Sequence, residues 1–132
     1  MLLQLIENNY LLTQTFGASF NLRRITLLNV SLERLQFLSI RVLINERATK
    51  MPQKWQDFNT INFDLQFSGL GDLNLKYLES HHMDDYSDIL IEDENGSEHN
   101  LSIVGQIELK CNFQFVSAQN FAPAMMRTKS AV

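Results

Sequence analysis

The stretch INFDLQFSGLGDLNLKY, residues 61–77, decides the fold class. Apolar and polar residues alternate strictly over 61–67 and again over 73–77. Successive side chains of a β-strand point to opposite faces, so each half predicts a strand with one buried face. The short SGLG link between the halves predicts a hairpin. Because a strand rather than a helix follows Gly69 and Gly71, this glycine pair indicates a corner of the chain and not a phosphate-binding loop.

The same two-residue period recurs along most of the chain. It predicts further strands at 25–32, 38–44, 89–92, 101–104 and 107–115. Their links are mostly short and no amphipathic helix lies among them, which favours antiparallel pairing. We therefore expect a mainly β fold, an antiparallel β-sandwich or strongly curled sheet of about seven strands. The residues expected to lie in strands with their side chains in the core of this fold are Ile61, Phe63, Leu65, Phe67, Leu73, Leu75, Ile107, Leu109, Phe113 and Phe115.

The ends of the chain differ from its middle. Loosely helical spacing over about 2–15, closed by Gly17, predicts a short N-terminal helix, with strands from about residue 22. Residues 118–132 have small side chains, a proline and no period, which indicates a mobile tail. The expected organisation is a single β domain over residues 1–117 followed by that tail.

Composition excludes several classes of protein. The chain has 132 residues, a net charge of -4 and a pI near 5.3, which argues against general binding of nucleic acid or anionic membranes. Its single cysteine, Cys111, cannot form an internal disulfide, which favours a reducing compartment. Glu7 interrupts the first apolar run too early for a signal peptide, and no apolar run approaches the roughly 20 residues that span a bilayer. We expect a cytoplasmic protein.

Charge is distributed unevenly along the chain. Residues 23–54 hold seven of the eleven basic side chains, whereas residues 77–109 hold nine of the fifteen acids and no Lys or Arg. Either the acidic run pairs internally with the basic half or it remains an exposed face. An exposed acidic face would suit a basic partner. The acids that we predict to contact a partner are Asp84, Asp85, Asp88, Glu92, Asp93 and Glu94.

Few residues suggest catalysis. His81 and His82 are adjacent, so in a strand they would point apart and could not easily share one metal unless the segment loops. The carboxylates near them could act as a general acid and base, but a solvated polar loop is the simpler interpretation. Cys111 lies in phase with Leu109 and Phe113, which predicts an inert core thiol rather than a nucleophile. We predict no catalytic residue, no metal and no cofactor.

The only tryptophan, Trp55, lies in the longest irregular stretch, residues 45–59. It could fold back and close one end of the sandwich. Alternatively it could be an exposed anchor for a partner, because tryptophan is enriched at interface hot spots. Both interpretations remain open at this point.

Several of these segments together resemble the immunity protein 50 family of bacteria. The resemblance rests on the loop with Pro52, Lys54 and Trp55, on FDLQFSGL and DLNLK directly after it, and on the closing IELKCNFQF with its Cys111. The segment FGASFNLRRITLLNVSL resembles the opening of that family more loosely. The similarity covers roughly residues 16–117 and involves no catalytic residues.

The resemblance implies a polymorphic toxin system. Such immunity proteins are encoded beside secreted bacterial toxins and protect the producing cell by binding the toxin. The implied function is stoichiometric neutralisation of a cognate toxin without catalysis, and a basic active-site face on the toxin would suit the acidic run. The alternatives are a β-sandwich module that binds a small molecule or carbohydrate through Trp55 and, less favoured, a metal-dependent enzyme built on residues 81–88.

Overall fold

The computed structural model describes residues 2–76, 86–94 and 98–126. Within these residues the protein is mainly β, as its alternating pattern predicts. The elements, in chain order, are helix α1 (Leu2–Leu5), strand β1 (Ile6–Glu7), helix α2 (Tyr10–Phe16), β2 (Thr26–Glu33), β3 (Phe37–Leu43), a 3-10 turn (Gln53–Trp55), β4 (Thr60–Ser68), β5 (Gly71–Lys76), β6 (Asp88–Glu94), β7 (Glu98–Val104), β8 (Glu108–Phe113) and β9 (Phe115–Ala124).

The strands form two sheets. The first has the order β1-β9-β4-β3-β2, and the second has the order β5-β8-β7-β6. Every neighbouring pair is antiparallel except the two-residue strand β1, which runs parallel to β9. The two sheets share one apolar core, in which the rings of Phe67 on β4 and Phe113 on β8 meet edge to face at 5.0 Å. The predicted mainly β, antiparallel fold is confirmed as two packed sheets, and the described residues form nine strands rather than about seven.

The hairpin predicted over residues 61–77 is wrong, because β4 lies in the first sheet and β5 in the second. The chain passes from one sheet to the other at Gly69, whose φ is +67°. A β-carbon at this position would lie 2.8 Å from Cβ of Gln114. Gly69 therefore serves as a corner, as expected, but a corner between sheets. Sequence period alone could not reveal this, since it defines the faces of a strand and not its neighbours.

A second crossing lies beside the first. The predicted strand 107–115 is two strands, because β8 ends at Phe113, β9 begins at Phe115 and the chain changes sheets at Gln114. The backbone N–H of Gln114 donates a hydrogen bond of 2.9 Å to the carbonyl of Ser68. Ser68 faces Phe115 on one side of the corner and Gly71 faces Asn112 on the other. We call this bent pair, β4–β5 with β8–β9, the corner ribbon.

The expected core is only partly correct. The buried members are Ile61, Phe63, Leu65, Phe67, Leu109 and Phe113. Leu73 and Leu75 are exposed because β5 is the edge of its sheet, and Phe115 is exposed because it points away from the core where β9 begins. Ile107 is half-buried and lies one residue before β8.

The N-terminal prediction of one helix over 2–15 needs correction. Asn8 adopts a φ of 62°, which no right-handed helix allows, and Ile6 pairs with Val116 of β9. The helix is therefore divided into α1 and α2 with β1 between them. Neither helix is long and apolar enough to span a membrane, and the same holds for every helix in the described residues.

The predicted C-terminal tail also begins too early. β9 continues through Ala124, so residues 118–124 pair with β4 instead of forming a tail. The small side chains that suggested a mobile segment fit a packed one, since Ala118 faces Leu65 and is completely buried. Residues 127–132 lie outside the described residues, as do residues 77–85 and 95–97.

Candidate partner-binding site

Four acids of the acidic run lie in β6, the edge strand of the second sheet: Asp88, Glu92, Asp93 and Glu94. Strand alternation divides its side chains between two faces. Asp88 and Glu92 lie on the outer face, in register with Val104 and Asn100 of β7. Asp93 points to the other side, where its carboxylate lies 2.9 Å from Nδ1 of His99. The predicted acidic cluster is therefore not one continuous surface along this strand.

Three of the predicted acids cannot be placed in the same way. Asp84 and Asp85, like His81 and His82, lie outside the described residues, and of Glu94 the structure describes only the backbone. Their assignment to a partner-binding surface stays a prediction.

Asp88 has a structural task that limits its use in binding. Its carboxylate accepts a hydrogen bond of 2.8 Å from the backbone N–H of Arg24, which has a φ of 53°. The guanidinium of Arg24 stacks 4.9 Å above the ring of Tyr86, so the chain before β2 is fastened to the start of β6. A carboxylate that holds a backbone N–H is less available to a partner than Glu92, which is exposed.

The outer face of the second sheet surrounds Glu92 with a shallow depression of about 410 Å³. Asp72, Leu90, Ser102 and Lys110 are among the residues that line it. The charged side chains on this outer face, as placed by the strand register, are Asp72, Asp88, Glu92, Glu98 and Glu108 against Lys76 and Lys110. We call it the acidic face.

The acidic face also exposes apolar side chains. Leu90 is 41% exposed and Val104 is 49% exposed, and each neighbours a carboxylate of this face. Apolar groups within a charged surface are typical of binding surfaces, because burying them favours association while the charges select the partner. Sequence analysis missed both residues. The available signal was the run ILIE, residues 89–92, in which apolar residues occupy both faces of the strand.

Trp55 lies elsewhere, in the 3-10 turn of the loop between β3 and β4. Its ring is half-buried against the core, and the ammonium of Lys54 lies 5.0 Å from its centroid. The loop is fastened by backbone hydrogen bonds from Ala48 to Asn59 (2.8 Å) and from Thr49 to Thr15 (2.8 Å). This geometry favours the interpretation in which Trp55 closes the end of the sandwich. Its role in partner binding stays a prediction.

Among the described residues, no Lys or Arg forms an ion pair with a carboxylate of the acidic face. Arg41 lies on the outer face of the first sheet, where it forms an ion pair of 3.3 Å with Asp64. The same guanidinium donates to the backbone carbonyl of Asn120 (2.7 Å) and to the side chain of Asn62. Asp64 in turn accepts from Asn120 at 2.8 Å. Arg41 is thus committed to its own sheet, which favours an acidic run that remains exposed.

The chemistry of Cys111 is that of a core side chain. It is 4% exposed and faces Leu101 of β7. Burial raises the pKa of its thiol from 9.0 to about 11, so it stays protonated and poorly nucleophilic near neutral pH. Among the described residues, no three His, Cys, Asp or Glu side chains come close enough together to hold a metal ion.

The comparisons with known proteins agree with the resemblance noted above. The family model described as immunity protein 50 matches residues 8–124. Neither the curated proteins nor the solved structures gave a match. The matched range includes every strand from β2 to β9, so it spans both sheets and the corner ribbon. This chain belongs to the immunity protein 50 family.

Proposed function

We propose that this protein neutralises a cognate bacterial toxin in the cytoplasm by stoichiometric binding, without catalysis. Membership of the immunity protein 50 family carries this proposal. Occlusion of the toxin's active site, or of a surface that the toxin needs, would suffice for protection. The buried Cys111 and its raised pKa argue against this thiol as a catalytic nucleophile.

The acidic face is the surface that we assign to the toxin. Five carboxylates and two lysines on this face favour a cationic partner, such as a toxin that contacts phosphates through a basic site. Leu90 and Val104 supply apolar area that a partner would bury. Asp84 and Asp85 precede β6 in sequence and add to the negative charge of the same segment.

The test compares two triple variants with the same net charge. The first replaces Asp84, Asp85 and Glu92 with their amides and leaves Asp88 in place, since Asp88 holds the backbone of Arg24. The control replaces Glu7, Glu46 and Asp57 with their amides. These three residues are exposed and lie outside the acidic run. Each variant removes three negative charges, so the net charge of -4 becomes -1 in both.

Association with the toxin domain encoded by the neighbouring gene is then measured at low and moderate salt. We expect the first variant to associate about tenfold more slowly at low salt, with the deficit shrinking as salt screens the charges. The control should associate nearly as fast as the natural protein. If both variants behave alike, the acidic face is not the interface.

The same reagents test the mechanism. A stoichiometric inhibitor should reduce toxin activity linearly until one equivalent has been added. Complete inactivation by a small fraction of an equivalent would contradict binding without catalysis. Absence of a complex with this toxin domain would contradict the proposed function itself.

A further inference from the structure

Strand β2 is the last strand of the first sheet, and no other strand of the described residues pairs with its outer edge. Its sequence TLLNVSLE contains one charged residue, Glu33, and no proline. Leu28 is 48% exposed and Leu32 is 39% exposed. Edge strands are usually guarded by charges, proline, bulges or short length, because their free N–H and C=O groups can pair with another chain.

At one end of this edge, the backbone of Leu27 is already hydrogen-bonded by a side chain of the same chain. The side-chain amide of Gln106 accepts a hydrogen bond from the N–H of Leu27 at 2.7 Å and donates one to its carbonyl at 3.2 Å. Ser87 fixes this amide, since its hydroxyl accepts from the N–H of Gln106 at 2.8 Å and donates to the Gln106 side chain at 3.2 Å. Gln106 thus occupies the place of a neighbouring strand at Leu27.

The rest of β2 is regular. The register with β3 shifts only between Leu27 and Asn29, at the closed end, and residues 29–33 then pair without interruption. Asn29, Ser31 and Glu33 share the outer face, whereas Val30 and Leu32 face the core side. Residues 29–33 therefore form the part of the edge with which no described strand pairs. They include Leu32, whose side chain is only partly covered.

The other edges are less suitable for pairing. The first residues of β6 are covered by the chain before β2, through the bridge of Ile25 with Ser87 and a hydrogen bond of 2.9 Å from Ile89 to Leu22. The remainder of β6 carries Glu92 and Asp93, so two such strands would repel each other. β1 has two residues, and β5 leads directly into residues that the structure does not describe.

We propose that β2 pairs antiparallel with β2 of a second copy of this chain, about a twofold axis at Ser31. In this register Leu32 of one copy lies opposite Val30 of the other, and Glu33 lies opposite Asn29. No two like charges face each other, and the exposed side of Leu32 gains an apolar neighbour. The pairing joins the first sheets of both copies into one continuous sheet.

A second copy fits this edge better than a strand of a basic toxin would. The open segment offers a single carboxylate to a cationic strand, whereas it complements itself residue by residue under twofold symmetry. The acidic face lies on the other sheet and is not used in the pairing. The dimer therefore goes beyond toxin binding and does not depend on it.

Sedimentation of the full chain over a range of concentrations tests the dimer. We expect a monomer–dimer equilibrium that Leu32→Lys weakens at least tenfold, since it introduces a charge into the pairing surface. Leu73→Lys is the matched control, because Leu73 is a strand leucine of similar exposure, 38% against 39%, on the other sheet and is not among the residues assigned to the toxin. This variant should dimerise like the natural protein.

Cross-linking tests the register. Directly opposed residues of antiparallel strands have Cβ atoms about 4.5–5.5 Å apart, so Ser31→Cys should form a disulfide between copies on mild oxidation. Ser39→Cys is the control, since it pairs with Ser31 from β3 and its two copies would lie roughly 14 Å apart, three strand spacings. Cys111 is buried and does not compete.

Three outcomes would overturn the proposal: a monomer at every concentration, a dimer that Leu32→Lys leaves intact, or a dimer in which Ser31→Cys does not cross-link. A monomer whose toxin binding is weakened by Leu32→Lys would assign this edge to the toxin instead.

Discussion

Cys111 combines burial with a titratable group, and that combination makes stability depend on alkaline pH. Its pKa is about 11 in the folded protein against 9.0 for the unperturbed thiol. Below the lower value the thiol is protonated in both states. Between the two values the unfolded chain loses its proton first, so the free energy of unfolding falls as pH rises, by roughly 2–3 kcal/mol in total.

Cys111→Ala provides the comparison, because it removes the thiol while leaving every other titrating group in place. We expect chemical denaturation to show that the natural protein loses roughly 2–3 kcal/mol more stability than the variant between about pH 8 and pH 11. The alanine variant should be less stable near neutral pH by a constant amount, from its cavity. If the free energies of unfolding of the natural protein and the variant changed with pH in parallel, the thiol would ionise as easily in the folded state as in the unfolded state.

The two-residue alternation predicted the burial of individual side chains correctly where a strand lies inside a sheet. Phe63 and Leu65 of β4 are completely buried, because β4 has neighbours on both sides. The same period placed Leu75 in the core, yet Leu75 is 54% exposed on an edge strand. Alternation identifies which face of a strand is apolar, but coverage of that face depends on neighbours that are distant in sequence.

At the scale of elements, the two glycines of the SGLG link differ in what they must provide. Gly69 has a φ of +67°, and a β-carbon there would lie 2.8 Å from Cβ and Cγ of Gln114. Gly71 carries no such constraint, since its nearest neighbour, Cβ of Asn112, would be 4.0 Å away. The close approach of the two crossings, rather than the turn alone, requires the first glycine.

Gly69→Ala should therefore destabilise the protein by at least about 1–2 kcal/mol from backbone conformation alone, with the clash at Gln114 adding to it. Gly71→Ala, the matched control, should stay within about 0.5 kcal/mol of the natural protein, as unstrained surface substitutions do. Urea denaturation of both variants measures the difference. Equal stabilities would show that the corner can relax around a side chain.

Sequence reasoning placed most strands correctly and their partners less well. Residues 38–44 and 61–67 were predicted as strands and form β3 and β4. The position of a strand depends on local alternation and turn residues, whereas its neighbour is chosen by contacts across the whole chain. The single residue Gln114, which changes the sheet without glycine or proline, left no signal in the pattern.

At the scale of the whole molecule, the acidic run was visible in the sequence but its geometry was not. Counting charges could not show that Asp93 turns towards His99, or that Asp88 holds the backbone of Arg24. Nor could it find Leu90 and Val104, because an exposed apolar residue in a strand looks like a core residue. The family could be recognised from segments within residues 16–117, such as the loop with Pro52 and Trp55, and the family model matches residues 8–124.

The corner ribbon also determines how cooperatively the protein unfolds. Its two bent strands each run through both sheets and are hydrogen-bonded to each other at the corner, so the two sheets share backbone as well as one core. We therefore expect the amides of β3 and β7, one in each sheet, to exchange with solvent through the same cooperative opening. Phe113→Ala, which truncates a buried ring of the second sheet, should cost about 3–5 kcal/mol. It should accelerate exchange equally in both strands, whereas faster exchange in β7 alone would mean that the sheets open independently.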